Sequence, residues 1–105
     1  MNIVNRGAKE TPKKRTSIKA GDSVIVYLSS KGGILFSVFR SDAQPLRFEG
    51  GDDKCLLMNF PPNSTGAFDL ISLICQITGL QAKLRHEQEE YMSFEMREGK
   101  SIFAD

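Results

Sequence analysis

Six cations fall within the first twenty positions of the chain: Arg6, Lys9, Lys13, Lys14, Arg15 and Lys19, with Glu10 as the one carboxylate among them. Side chains of this kind at this density neutralise phosphates. The balance there is +5. The other eighty-five residues hold eight basic and twelve acidic side chains, a balance of −4, so the formal total of +1 hides the asymmetry. A basic arm on a mildly acidic body points to a polyanion partner, and the competing reading is a solubilising tail. Pro12-Lys13-Lys14-Arg15 also has the composition of a nuclear import signal, a match that four residues make too often by chance to weigh.

Other reactive chemistry is sparse. A nucleophilic triad needs a histidine base, and the single histidine, His86, stands in a charged run from Arg85 to Glu90. No Ser or Cys in an elbow motif lies beside it, and the second histidine of a zinc helix is missing. Cys55 and Cys75 each sit in an apolar segment, with no CxxC spacing, and read as reduced core thiols. Asp52-Asp53 behind Gly50-Gly51 reads as a turn, because one acidic pair does not make a calcium loop. Neither glycine-rich phosphate-binding pattern occurs. The expectation is a protein that is not an enzyme, with no cofactor and no metal.

A different chemistry comes from the segment Ser23 to Arg40. Two runs dense in β-branched and aromatic residues, Ser23–Leu28 and Ile34–Phe39, flank Gly32-Gly33 and predict a β-hairpin. A three-residue loop, Lys31-Gly32-Gly33, would pair Leu28 with Phe36 and Val26 with Val38. One face then collects Val24, Val26, Leu28, Ile34, Phe36 and Val38. The other collects Ile25, Tyr27, Ser29, Leu35, Ser37 and Phe39, too apolar for an ordinary wet face. Tyr27 and Phe39 would sit diagonally across it, with Lys31, Arg40 and Arg47 in reach. Sheet aromatics flanked by cations stack bases in several single-strand-binding folds. The competing reading packs these rings under a helix or into a dimer contact.

The remaining elements must position that face. Residues 1–18 read as a flexible arm and 19–105 as one α+β domain. After the hairpin, Leu46–Glu49 alternates as a half-exposed strand would, and Lys54–Phe60 predicts a fourth strand, stopped by Pro61-Pro62. One helix follows, capped by Asn63, Ser64 or Thr65 and closed at Gly79. Its polar stripe, Asp69, Ser72 and Gln76, is narrow enough to predict a helix covered on most sides. Arg85–Glu90 extends a helix or forms a loop, and Tyr91–Met96 alternates as a last strand or hairpin. The expected fold is α+β, an antiparallel sheet of four or more strands with one buried helix after strand four and further β structure at the C-terminus. Four strands and then a helix resembles the element order of small single-strand-binding modules of the Whirly and PUR type, a resemblance of order carried by no residue motif.

These features predict a small nucleic-acid-binding accessory protein of a phage or mobile element, favouring single-stranded DNA or RNA and dimeric. The candidate contacts are the six cations of the arm together with Tyr27, Lys31, Phe39, Arg40 and Arg47. The alternative is a protein-binding module or inhibitor that uses the apolar sheet face or the acidic C-terminal region. No apolar run is long enough to span a bilayer and Ile3-Val4 are followed at once by charge, so a cytoplasmic protein with no membrane partner is expected.

Overall fold

The computed structural model describes residues 18–28, 32–48, 50–99 and 103. Elements follow in the order β1 (Ser23–Tyr27), β2 (Ile34–Phe39), β3 (Cys55–Leu57), α1 (Ser64–Thr78), β4 (Gln81–Glu87) and β5 (Tyr91–Arg97). The strands make one five-stranded sheet in the spatial order β3-β2-β1-β5-β4. Every neighbouring pair is antiparallel. The α+β class is as expected, and the C-terminal β structure is the hairpin β4–β5. Arg85–Glu87, expected as helix or loop, belongs to a strand.

The helix follows the third strand, not the fourth. Of the stretch expected as a strand from Leu46, only a bridge between Phe39 and Pro45 joins the sheet, with Leu46 N–H donating to Val38 O. The reason is local. Phe48 N–H donates to Asp52 O and Gly51 N–H to Phe48 O, so a turn uses the groups that a strand would need. The alternation reports burial instead: Leu46 is buried, and Phe48 meets Phe36 edge-on at 5.4 Å between centroids. Three strands before the helix and two after it also depart from the Whirly and PUR order.

The hairpin register differs from expectation by two residues. Val26 pairs with Phe36 and Val24 with Val38. The connection from Tyr27 to Ile34 is therefore longer than the three-residue loop, although Gly32 does take the left-handed conformation (φ 78°). It passes the end of β3, where Gly33 lies so close to the Leu57 carbonyl that a Cβ would overlap it. A shift of two leaves each side chain on its own face. Val24, Val26, Ile34, Phe36 and Val38 are all buried on one side, joined there by Met92, Phe94 and Met96 of β5.

The helix closes this inner face. Pro61 and Pro62 end the strand region, and Asn63 caps the helix by accepting from Gly66 N–H at 3.0 Å. Gly79 (φ 76°) stops it by donating to Cys75 O at 2.8 Å. Ala67, Leu70, Ile71, Ile74 and Cys75 enter the core, and Phe68 packs edge-on against Phe94 at 5.8 Å. Phe103 adds a further ring against Phe68 and a bridge to Ala82. Within the single chain Leu73 is 40% and Ile77 74% exposed, the part of the helix that its own sheet does not cover.

Gly66 tests how tightly the helix is set on the sheet. In an open helix, Gly→Ala stabilises by about 1 kcal/mol. Here a Cβ would strike the Pro61 carbonyl and the Ile34 side chain. Gly66→Ala is expected to lower stability by about 1–3 kcal/mol instead; a urea melt of the variant with a raised midpoint would contradict this packing.

Candidate nucleic-acid interface

The alternation that buries one face exposes the other. Ser23, Ile25 and Tyr27 of β1 stand on it beside Leu35, Ser37 and Phe39 of β2 and Tyr91, Ser93 and Glu95 of β5. The helix lies against the opposite side. Ile25, Tyr27, Leu35, Phe39 and Tyr91 are all half-buried, and Leu56 at the β3 edge is exposed. The rings at Tyr27 and Phe39 therefore pack under no helix.

Their mutual placement is not the diagonal neighbourhood expected. Tyr27 faces Leu35, and Phe39 faces Ser23. Four residues of strand separate them, about 13 Å. The ring that does neighbour Tyr27 is Tyr91, its direct cross-strand partner on β5. Opposed residues of this kind have Cβ atoms about 5 Å apart, although the Tyr27 ring reaches toward β2, on the side of β1 away from Tyr91. The Tyr27 hydroxyl lies 3.3 Å from Ser37 Oγ, which accounts for the burial of that serine. Lys54 Nζ stands 5.9 Å from the Tyr27 ring centroid, within the range of a cation–π contact.

The expected cations are dispersed. Arg6, Lys9, Lys13, Lys14, Arg15 and Lys31 lie outside the described residues. Lys19 is exposed near the start of the described residues, its N–H donating to Asp22 Oδ2 at 2.8 Å. Arg40 is tied to the fold: its Nη1 donates to the same Asp22 oxygen at 2.6 Å, and the aspartate side chain is 4% exposed. Arg47 is exposed but staples its own loop, donating to Gly51 O at 2.6 Å.

Other cations take their place on the open face. The β4–β5 ladder slips at Leu84/His86, a bulge in which Ser93 pairs with His86 and Arg85 is the extra residue. A bulge re-aims side chains, and here it sets Arg85 beside His86. Arg85 Nη1 donates to Glu95 Oε1 at 2.8 Å, and Arg97 Nη2 reaches the same oxygen at 3.3 Å. Arg85, His86 and Glu95, with Ser23 and Ser93, line a polar recess of about 360 Å³, and Arg97 reaches it only through Glu95. Tyr91, Lys54, Arg85, His86 and Arg97 were absent from the expected set. The out-of-phase residues of the last strand, Tyr91, Ser93, Glu95 and Arg97, were a readable signal for part of it.

Nothing on the described residues gathers three metal-type ligands, and none of the described helices is long and apolar enough to cross a membrane. Burial pushes the Cys55 and Cys75 thiols above their ordinary pKa. Each stays neutral in the fold at neutral pH, a poor nucleophile and a good apolar filler. Their contribution to stability is complete below the unfolded thiol pKa, about 9.0, and is lost as pH rises through the higher folded value. Comparisons with protein-family models, with curated proteins and with solved structures find no match.

The Arg40–Asp22 pair makes a testable distinction between a binding and a structural cation. Asp22 also holds β5, its carbonyl accepting from Met96 N–H. Arg40→Ala leaves a nearly buried carboxylate without its partner and is expected to cost about 1–3 kcal/mol of stability, with oligonucleotide affinity per folded molecule unchanged. A melt at the wild-type temperature together with weakened binding would return Arg40 to the interface.

Proposed function

We propose that this chain is a small, non-enzymatic nucleic-acid-binding accessory protein that holds single strands on the outer face of its sheet. The observation that supports the reading is the opposed pair Tyr27 and Tyr91. Both residues are half-buried on a face that the helix does not cover. Stacking on such rings needs an unpaired base, which favours single strands, and it is tolerant of sequence because every base has a π-face. Lys54 supplies charge beside the rings, and the cations of the N-terminal arm supply sequence-independent phosphate contacts. The protein is proposed to act as a homodimer, which would cover Leu73 and Ile77.

A second reading, a module that binds a protein target, is favoured by one feature. Ile18, Ile74, Ile77 and Thr78 line an apolar recess of about 420 Å³ on the helix side, away from the tyrosines. Substitutions on the two faces separate the readings.

Tyr27→Ala and Tyr91→Ala are each expected to weaken single-strand binding by about 1–3 kcal/mol per stacked base, with the fold retained, in fluorescence titrations against single- and double-stranded oligonucleotides. Unchanged affinity in both variants would reject the sheet face. Deleting residues 1–17 is expected to flatten the salt dependence, by about 0.7 in log–log slope for each single-strand phosphate that the arm neutralises. An unaltered slope would leave the arm as a solubiliser. Sedimentation at micromolar concentration checks the dimer, and a species of monomer mass alone refutes it.

A further inference from the structure

We propose that the recess at the β4 bulge is a phosphate-binding site, built by Arg85, His86, Ser23 and Ser93 and tuned by Glu95. The bulge is the device that makes it. In a regular ladder Arg85 and His86 would point to opposite faces of the sheet. Arg85 follows the inward Leu84 onto the outer side, where its guanidinium meets Glu95 at 2.8 Å, and the register slip between Leu84 and His86 sets His86 opposite Ser93 on that same side.

Three properties of the recess fit a tetrahedral oxyanion. The first is charge: the guanidiniums of Arg85, in the lining, and of Arg97, outside it, converge on the single Glu95 oxygen, so the Arg85–Glu95–Arg97 group carries a net positive charge. The second is donors. A guanidinium has five N–H groups in a fixed fork, and the bond to Glu95 uses one on Arg85. Ser23 and Ser93 add hydroxyls and His86 an imidazole, all lining one concavity. The third is size, since about 360 Å³ admits a phosphate with its neighbouring sugar. Glu95 holds Arg85 in place while the recess is empty, and by its own charge keeps the affinity moderate. A moderate site suits a contact repeated along a polyanion rather than a tight single ligand.

The phosphate could be a phosphodiester of a bound strand or a free phosphate ion. The first source rests on the function proposed above; the recess as a phosphate site does not. Amide shifts of the full chain, followed by NMR during separate titrations with inorganic phosphate and with a short oligothymidylate lacking terminal phosphates, distinguish them. Inorganic phosphate is expected to move Arg85, His86 and Ser93. Arg85→Gln, at an exposed position, is expected to weaken that binding about tenfold or more. Glu95→Gln is expected to strengthen it, because the competing carboxylate is gone. Absence of shifts at these residues with phosphate, or weaker binding in Glu95→Gln, overturns the site. Shifts with the oligonucleotide at Tyr27 and Tyr91 but not at the recess overturn the strand as the source while the proposed function stands. Phosphate shifts at the recess without any oligonucleotide binding support the recess as a phosphate site and refute the proposed function.

Discussion

Side chains alternate along a strand, and the described residues supply one helix to cover a five-stranded sheet with two faces. Everything else in the structure follows from that shortage. Val24 and Val26, Phe36 and Val38, Met92, Phe94 and Met96 all point to one side, where α1 removes them from water. Burying side chains of this size contributes about 1.5–3 kcal/mol each, so the choice of face is strongly fixed. The residues between them then have no helix to meet. That they are Ile25, Tyr27, Leu35, Phe39 and Tyr91, and not a row of charges, is the structural fact that the proposed function has to explain. All five are half-buried, and on the proposed function they are the surface that meets the bases.

The strand edges are managed differently on the two sides. β3 has only three residues, and a short edge gives little template for pairing with another chain. β4 is seven residues long, and two devices interrupt its edge: the bridge from Phe103 to Ala82 at one end and the bulge in the middle. The bulge thus has a structural role, blunting a long edge, before any ligand is considered. The same slip sets Arg85 and His86 on one side, so the edge-breaking residue and the polar recess have one cause.

How much of this is legible in the residues depends on the period that carries it. Face assignment has a period of two, and the runs Ser23–Leu28, Ile34–Phe39 and Tyr91–Met96 state it clearly. Register does not follow from that period, because a shift of two preserves each face; the Val26–Phe36 pairing is decided by the close approach of Gly33 to Leu57, a tertiary contact. Leu46 and Phe48 alternate because both reach the core, although their backbone groups close a turn. The helix and its caps at Asn63 and Gly79 are legible because capping is local chemistry. The site is less so. Tyr27 and Phe39 are on the face expected, but Arg40 is claimed by Asp22, and Tyr91 enters only when β5 is placed beside β1. Neither the partner of an arginine nor the neighbour of a strand is written in spacing.

The acidic balance of the body, −4 outside the first twenty residues, stands as an objection to a polyanion on this sheet. Its force depends on where the acids are. On the outer face, Glu95 is met by Arg85 and Arg97. Glu87, Glu89 and Glu90 are exposed at the β4–β5 turn, next to Tyr91. Arg97 and the Ser23–Glu95 pair lie at the other end of the same strands, about 13 Å from the Tyr27–Tyr91 pair. That separation exceeds the Debye length of about 10 Å at 0.1 M salt, so a phosphate at one end is largely screened from the acids at the other. The face is therefore polarised rather than uniformly repulsive. A strand lying across it would track its phosphates along the Arg85–Arg97 end and turn its bases toward the tyrosines, where the carboxylates of the turn would hold the backbone off. Net charge alone misses this, because it averages over a surface on which sign varies at the scale of one screening length.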